Sequence, residues 1–216
     1  MTATYHDLVQ HYEACLARHG DSHQGVDWPN AADAQRRYEV MLDVIRPNAP
    51  RPVRLLDFGC GAGHLYEHLR HAQRDDIAYA GLDLSPRFVA LCRAKHPGVE
   101  FYCLDLLKDD ARLPEFDYLV LNGVFTEKRE MPSEAMWEYF EELLVRAFGK
   151  ARAGIAFNVM SDHVDWRRDD LFHVPHDRLA ALLVRRLSRH FVFRNDYGLY
   201  EYTTYVYRAR AEWPMS

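Results

Sequence analysis

At 216 residues, with 48% hydrophobic and 27% charged residues, the chain is long enough for one domain with a substantial core and lies in the ordinary globular range. The formal net charge of −5 argues against a broad electrostatic footprint for nucleic acid. No run approaches the roughly 18 apolar residues needed to span a bilayer, so no membrane association is expected. Cys15, Cys60, Cys92 and Cys103 form no C-x-x-C pair, and the N-terminus lacks a basic region followed by an apolar one, so a reduced cytoplasmic protein without a leader is expected.

Apolar spacing predicts a first helix over residues 5–18, with Leu8, Val9, Tyr12, Cys15 and Leu16 on one face and Gly20 beyond its end. A loop follows through Gly25, Val26, Asp27, Trp28 and Pro29. Asn30 is placed to cap a second helix through Tyr38, Leu42 and Ile45, stopped before Pro47. Strand one begins near Val53, and from there strands and helices alternate, which predicts a parallel sheet with helices on both faces. The strands are expected at residues 53–57, 77–83, 99–105, 116–122 and 155–159. After a helix over 175–189, two further strands at 191–194 and 202–208 are joined by a tight connection through Asp196, Tyr197 and Gly198.

The most informative stretch is the end of strand one. Asp57 closes an apolar run, and Gly59, Gly61 and Gly63 lead straight into a helical pattern. Glycines at a strand-to-helix turn let a ligand approach the backbone, and the following helix presents free N–H groups and its positive end. The pattern is G-x-G-x-G rather than the dinucleotide G-x-G-x-x-G, with His64 where the third dinucleotide glycine belongs. Asp57 would repel a pyrophosphate but welcome a free ammonium. Asp83, 20 residues beyond Gly63, is spaced to accept hydrogen bonds from ribose hydroxyls, and Asp105 ends a third strand.

These acidic strand ends, the glycine loop and Asn122 at the end of strand four resemble, in register, the motifs of the class I S-adenosylmethionine (SAM) dependent methyltransferases. The resemblance runs over about residues 50–208. It implies an α/β fold with a doubly wound, mostly parallel seven-stranded sheet, an antiparallel C-terminal strand and an N-terminal helical cap over residues 1–46, the methyltransferase domain being 47–216. SAM is the implied cofactor, held by Asp57, Gly59, Cys60, Gly61, Asp83, Leu84, Asp105, Leu106 and Asn122. Asp105 would meet the adenine amino group.

The acceptor is then expected on the loops after strands four and five. Asn122 and Phe125 match the outer positions of the base-amino methyltransferase motif, but Gly123 and Val124 replace its two prolines. That departure and the acidic charge favour a small molecule, methylated at oxygen or nitrogen, over nucleic acid. Glu127 and His163 are the candidate general bases, and Trp28, Tyr38 and Phe125 the candidate acceptor contacts. Two other readings compete. A SAM-binding partner or sensor without catalysis fits the lack of an obvious base. His64, Glu67 and His68 match the zinc-peptidase pattern H-x-x-E-H, but Leu65 and Leu69 supply the buried stripe of that helix, and no metal is expected.

Overall fold

A computed structural model describes residues 4–211. Strands β1 (Val53–Phe58), β2 (Ile77–Asp83), β3 (Glu100–Cys103), β4 (Phe116–Phe125) and β5 (Ala151–Ser161) are parallel. β6 (His173–Val174) is a two-residue strand beside the end of β5. β7 (Phe191–Arg194) and β8 (Glu201–Tyr207) finish the sheet, β8 running antiparallel to both β5 and β7. The order β3-β2-β1-β4-β5-β8-β7 leaves a topological switch between β1 and β4, where open α/β sheets bind ligands.

Strand alternation dresses both faces. Leu56 and Phe58 of β1, Leu119 and Leu121 of β4, and Ile155 and Phe157 of β5 point into one core; Leu55, Tyr118, Val120 and Ala156 point into the other. The first core receives Phe140, Leu143 and Leu144 of α5 (Ser133–Gly149) and Leu179 and Leu183 of α6 (His176–Arg186). The second receives Met41 and Leu42 of α2 (Ala31–Leu42) and Leu65 and Leu69 of α3 (His64–His71). α4 (Pro86–Lys95) contributes Val89 and Cys92 to a smaller cluster with Cys60 and Phe101. α1 (Tyr5–His19) stands outside the sheet and adds Leu8 to the first core.

The predicted elements recur with shifted ends. β4 and β5 extend past their apolar runs to Phe125 and Ser161, because the loops after them hydrogen-bond to each other: Phe172 N–H donates to the Thr126 carbonyl, and Lys128 and Arg129 N–H to that of Asp170. The second helix is regular only to Leu42, yet Val44 and Ile45 in the following turn remain buried. Asn30 caps it as expected, accepting from Ala32 and Asp33 N–H.

The N-terminal segment is tied to the sheet by a buried ion pair. Arg37 of α2 donates to Glu201 of β8 through Nε (2.9 Å) and Nη2 (2.8 Å), with the side chains 12% and 2% exposed. Asn158 Nδ2 donates to the same carboxylate at 2.8 Å, and Asn158 Oδ1 accepts from Gly123 N–H at 2.8 Å. A carboxylate so buried is tolerable only with such partners; removing one partner of a pair like this costs about 3–5 kcal/mol.

Candidate active site

The carboxyl ends of β1, β2, β3 and β4 open into one cavity of about 160 Å³, roofed by Tyr5, Leu8, Tyr12, Val26, Trp28 and Tyr38 of the N-terminal segment. All nine residues expected to hold the cofactor line it: Asp57, Gly59, Cys60, Gly61, Asp83, Leu84, Asp105, Leu106 and Asn122.

Local geometry explains why these types stand there. Asp83 accepts from Gly61 N–H at 2.9 Å and from Ser85 N–H at 2.8 Å, so it holds the glycine loop against the start of α4. Ser85 in turn caps α4 and donates to Glu13 of α1 at 2.5 Å. Burial pushes the Asp83 carboxyl up to about 6, against the lowering by those backbone N–H groups. Burial pushes Asp57 up to about 7, the Tyr79 hydroxyl donating to it at 2.9 Å and opposing the shift. Asp105 accepts from the Tyr5 hydroxyl (3.0 Å) and Leu107 N–H (3.1 Å), so α1 reaches this carboxylate directly.

Two features fit a SAM-like ligand. Asn122 Oδ1 is buried without a hydrogen-bond partner, an acceptor suited to an ammonium donor. At Gly61 (φ +51°) a Cβ would come within 3.0 Å of Val26 Cγ1, so only glycine leaves the space between the loop and Val26 open.

A second cavity, about 300 Å³, adjoins the first and shares Tyr12, Val26 and Trp28 with it. Asp27, Arg37, Thr126, Glu127, Met160, Trp166, Arg168, His173 and Glu201 are among its walls. The Trp28 ring lies beneath the Arg37 guanidinium at 4.1 Å and against Gly123, where a Cβ would come within 2.8 Å of Trp28 Cζ2. Arg37 leaves Nη1 buried and unpartnered. Burial first, and then the Asp27 carboxylate, push Glu127 up to about 7, with Arg129 and His11 opposing. His11 Nε2 lies 2.7 Å from Asp27 Oδ2 and 3.9 Å from Glu127 Oε2.

Of the expected acceptor-side residues, Glu127, Trp28 and Tyr38 therefore reach a cavity. Two do not. His163 is 82% exposed and lines neither cavity; of the loop after β5 it is Val164, Trp166 and Arg168 that border the second cavity instead. Phe125 is 0% exposed and packs on Phe140 (ring centroids 4.8 Å apart) and Phe157, as a core aromatic. The H-x-x-E-H residues are engaged elsewhere: His64 with Asp21 at 2.8 Å, Glu67 with Lys95 at 2.7 Å, and His68 against the Tyr38 ring. His11, Cys15 and Asp27 also cluster, but two ligands of one tetrahedral ion lie about 3.3 Å apart, wider than the 2.7 Å His11–Asp27 pair.

Sequence reasoning missed Asn158, Glu201, Asp27, Ser85 and Tyr139. Asn158 carried a signal, a polar side chain inside an apolar strand. Tyr139 of α5 lines the first cavity and stacks on Tyr5 with centroids 4.8 Å apart, a contact between residues with no pattern linking them.

Residues 56–145 match a family model described as a methyltransferase domain. A protein of Mycobacterium tuberculosis (strain ATCC 25618 / H37Rv), provisionally named methyltransferase Rv1506c, is 30% identical over 167 residues, covering 75% of this chain and 97% of that protein. Among solved structures, magnesium protoporphyrin IX methyltransferase from Synechocystis PCC 6803 with bound S-adenosylhomocysteine superposes with a TM-score of 0.63 at 14% identity, over 95% of this chain and 100% of that one. Human N-acetylserotonin methyltransferase in complex with SAM gives 0.59 at 17% identity, over 81% of this chain and 52% of that one. With the glycine loop, the acidic strand ends and the antiparallel β8 in place, these matches make SAM the cofactor and the chain a member of the class I SAM-dependent methyltransferase family.

Proposed function

We propose that this methyltransferase acts on a small molecule, at oxygen or nitrogen, held in the second cavity. The observation that carries the reading is that cavity itself: about 300 Å³, next to the first cavity and walled by the cap, it suits a small acceptor rather than a duplex or a folded protein. The net charge of −5 supports the same choice.

SAM, when bound, supplies a methyl carbon on a positively charged sulfur. The chain's own residues do the rest. Asp57, Asp83, Asp105 and Asn122 are the polar groups for its donors, and Gly59, Cys60, Gly61, Leu84 and Leu106 shape the space around it. Residues 1–46 serve as a cap: Tyr12, Val26 and Trp28 stand between the two cavities and exclude water from the line of transfer. Glu127 takes the acceptor's proton at its carboxylate; with its pKa raised to about 7, it is poised to do so near neutrality.

Radiolabelled SAM offered with a metabolite fraction, total RNA and a protein extract tests the reading. Label is expected in the metabolite fraction, and Glu127→Gln is expected to lower transfer by about 10²-fold or more while leaving the SAM dissociation constant unchanged. Because the base must be ionised, the wild-type rate should rise with pH through about 7. Label confined to RNA or protein would refute a small-molecule acceptor.

A further inference from the structure

Beyond both cavities, β5 ends at Ser161, and the chain passes through Asp162 and His163 before it returns to the start of α6. Asp162 Oδ1 is buried and has no hydrogen-bond partner. Two imidazole nitrogens face it, His163 Nε2 at 3.8 Å and His176 Nδ1 at 3.9 Å. Both separations are too long for a hydrogen bond, and a buried carboxylate oxygen without a donor is costly.

The surroundings hold the arrangement. His176, first residue of α6, stacks on Tyr202 with ring centroids 4.0 Å apart, and its Nε2 meets the Asn195 side-chain amide at 3.2 Å. Arg167, its side chain 61% exposed, donates from Nη2 to the Asp162 carbonyl at 3.2 Å and lies 3.7 Å from Asp162 Oδ2, leaving Oδ1 to the two imidazoles.

We propose that Asp162, His163 and His176 bind a divalent transition-metal ion, zinc foremost. Zinc bonds of about 2.0–2.2 Å to imidazole nitrogen and carboxylate oxygen place neighbouring ligand atoms about 3.3–3.5 Å apart. The two gaps to Asp162 thus leave room for an ion and need about half an ångström of closure; the exposed His163 ring supplies it on one side and a turn of the Asp162 carboxyl on the other, all three ligand atoms already lying within 4.8 Å of one another. Two imidazoles and a carboxylate suit zinc, nickel or copper, with water completing the coordination. His176 must bind through Nδ1, so its Nε2 keeps the proton and donates to Asn195, whose amide oxygen a flip brings round. The bound ion would fasten the exit of β5 to α6 and pin the loop between them. That loop carries Val164, Trp166 and Arg168 of the second cavity's wall, so occupancy would set the shape of that wall.

The full chain, prepared without a histidine tag and dialysed against a chelator, tests this directly. Calorimetry with Zn²⁺ and visible absorption with Co²⁺ should each show one equivalent. His163→Ala and His176→Ala should each weaken uptake by about tenfold or more; His163 is exposed, so its removal leaves the fold intact. Zn²⁺ should slow tryptic cleavage at Arg167 and Arg168 in the wild type and not in His163→Ala. His11→Ala should leave the stoichiometry unchanged. Absence of uptake at micromolar Zn²⁺, uptake indifferent to both His163→Ala and His176→Ala, or uptake abolished by His11→Ala would each overturn the assignment.

Discussion

Asp83→Ala separates the observed role of one carboxylate, fastening the glycine loop, from the role proposed for it in binding SAM. Its oxygens already hold the backbone N–H groups of Gly61 and Ser85, at 2.9 and 2.8 Å, before any ligand arrives. A hydrogen bond to a charged group is worth about 1.5–3 kcal/mol. Removing the carboxylate therefore frees the glycine loop from α4 and also removes the acceptor proposed for ribose hydroxyls. On the binding side the expected loss is about 1.5–3 kcal/mol, which is about a 10- to 150-fold rise in the SAM dissociation constant. On the stability side a loss of similar size is expected, because two buried N–H groups are left without partners. Asp83→Asn is no gentler for the loop, since its amide turns one acceptor into a donor that then opposes a backbone N–H. Calorimetric titration with SAM, run beside urea unfolding of the ligand-free protein, reads the two roles separately. A folded Asp83→Ala protein that loses stability but binds SAM with an unchanged dissociation constant would show that Asp83 only fastens the loop, and the assignment of its ribose role would fail.

Three further outcomes are expected. Gly61→Val should abolish SAM binding, because φ +51° strains a β-branched residue and its Cβ would come within 3.0 Å of Val26; normal binding in calorimetry would mean that the loop does not face the cofactor. Tryptophan emission should change when S-adenosylhomocysteine is added, and the change should shrink in Trp28→Phe, since that indole lies between the two cavities; a response undiminished there, but lost in Trp137→Phe or Trp166→Phe, would move the reporter elsewhere (Trp213 lies outside the described residues). Finally, folded Asp57 keeps its proton up to about pH 7, whereas the unfolded chain releases it near pH 4, so Asp57 makes stability fall as pH rises between those values, by about 1.4 kcal/mol per unit at most, and level off above. In urea unfolding at pH 5 and pH 7.5, Asp57→Asn should lose that part of the slope; an identical slope in the two proteins would show that Asp57 is ionised in the fold.

The gathering of the expected cofactor-side residues around one cavity was legible because it follows from local sequence. Each of Asp57, Asp83 and Asp105 follows an apolar run, and a parallel sheet brings the ends of such runs to one edge whatever the helices between them do. The glycine loop is legible for the same reason, since a strand-to-helix turn is set by neighbours in sequence. Asn158 is the intermediate case: its polarity inside a strand announced a partner but not which one.

The acceptor half depends instead on contacts between distant segments. Glu127 has its raised pKa first because the packed loops bury it and then because the left-handed turn at Asp27 (φ +60°) sets a second carboxylate beside it, 100 residues earlier in the chain. Arg37 and Glu201, whose pairing fastens α2 over the sheet, lie 164 residues apart, and nothing in an Arg-Arg-Tyr sequence marks one arginine as buried and its neighbour as free to bond the Tyr197 carbonyl. The loop after β5 shows the limit most plainly. Its composition offers Asp162, His163, Trp166, Arg168 and His173 as equals, and a polar loop reads the same whichever of them turns inward. Pairing of residues 126–129 with 170–172 decides the matter: it brings Trp166, Arg168 and His173 to the wall of the second cavity and leaves His163 outside, over Asp162 and His176. Which candidate base reaches the second cavity therefore rests on backbone hydrogen bonds between two loops, and Glu127 reaches it from the paired stretch just beyond β4, bridged to Leu171.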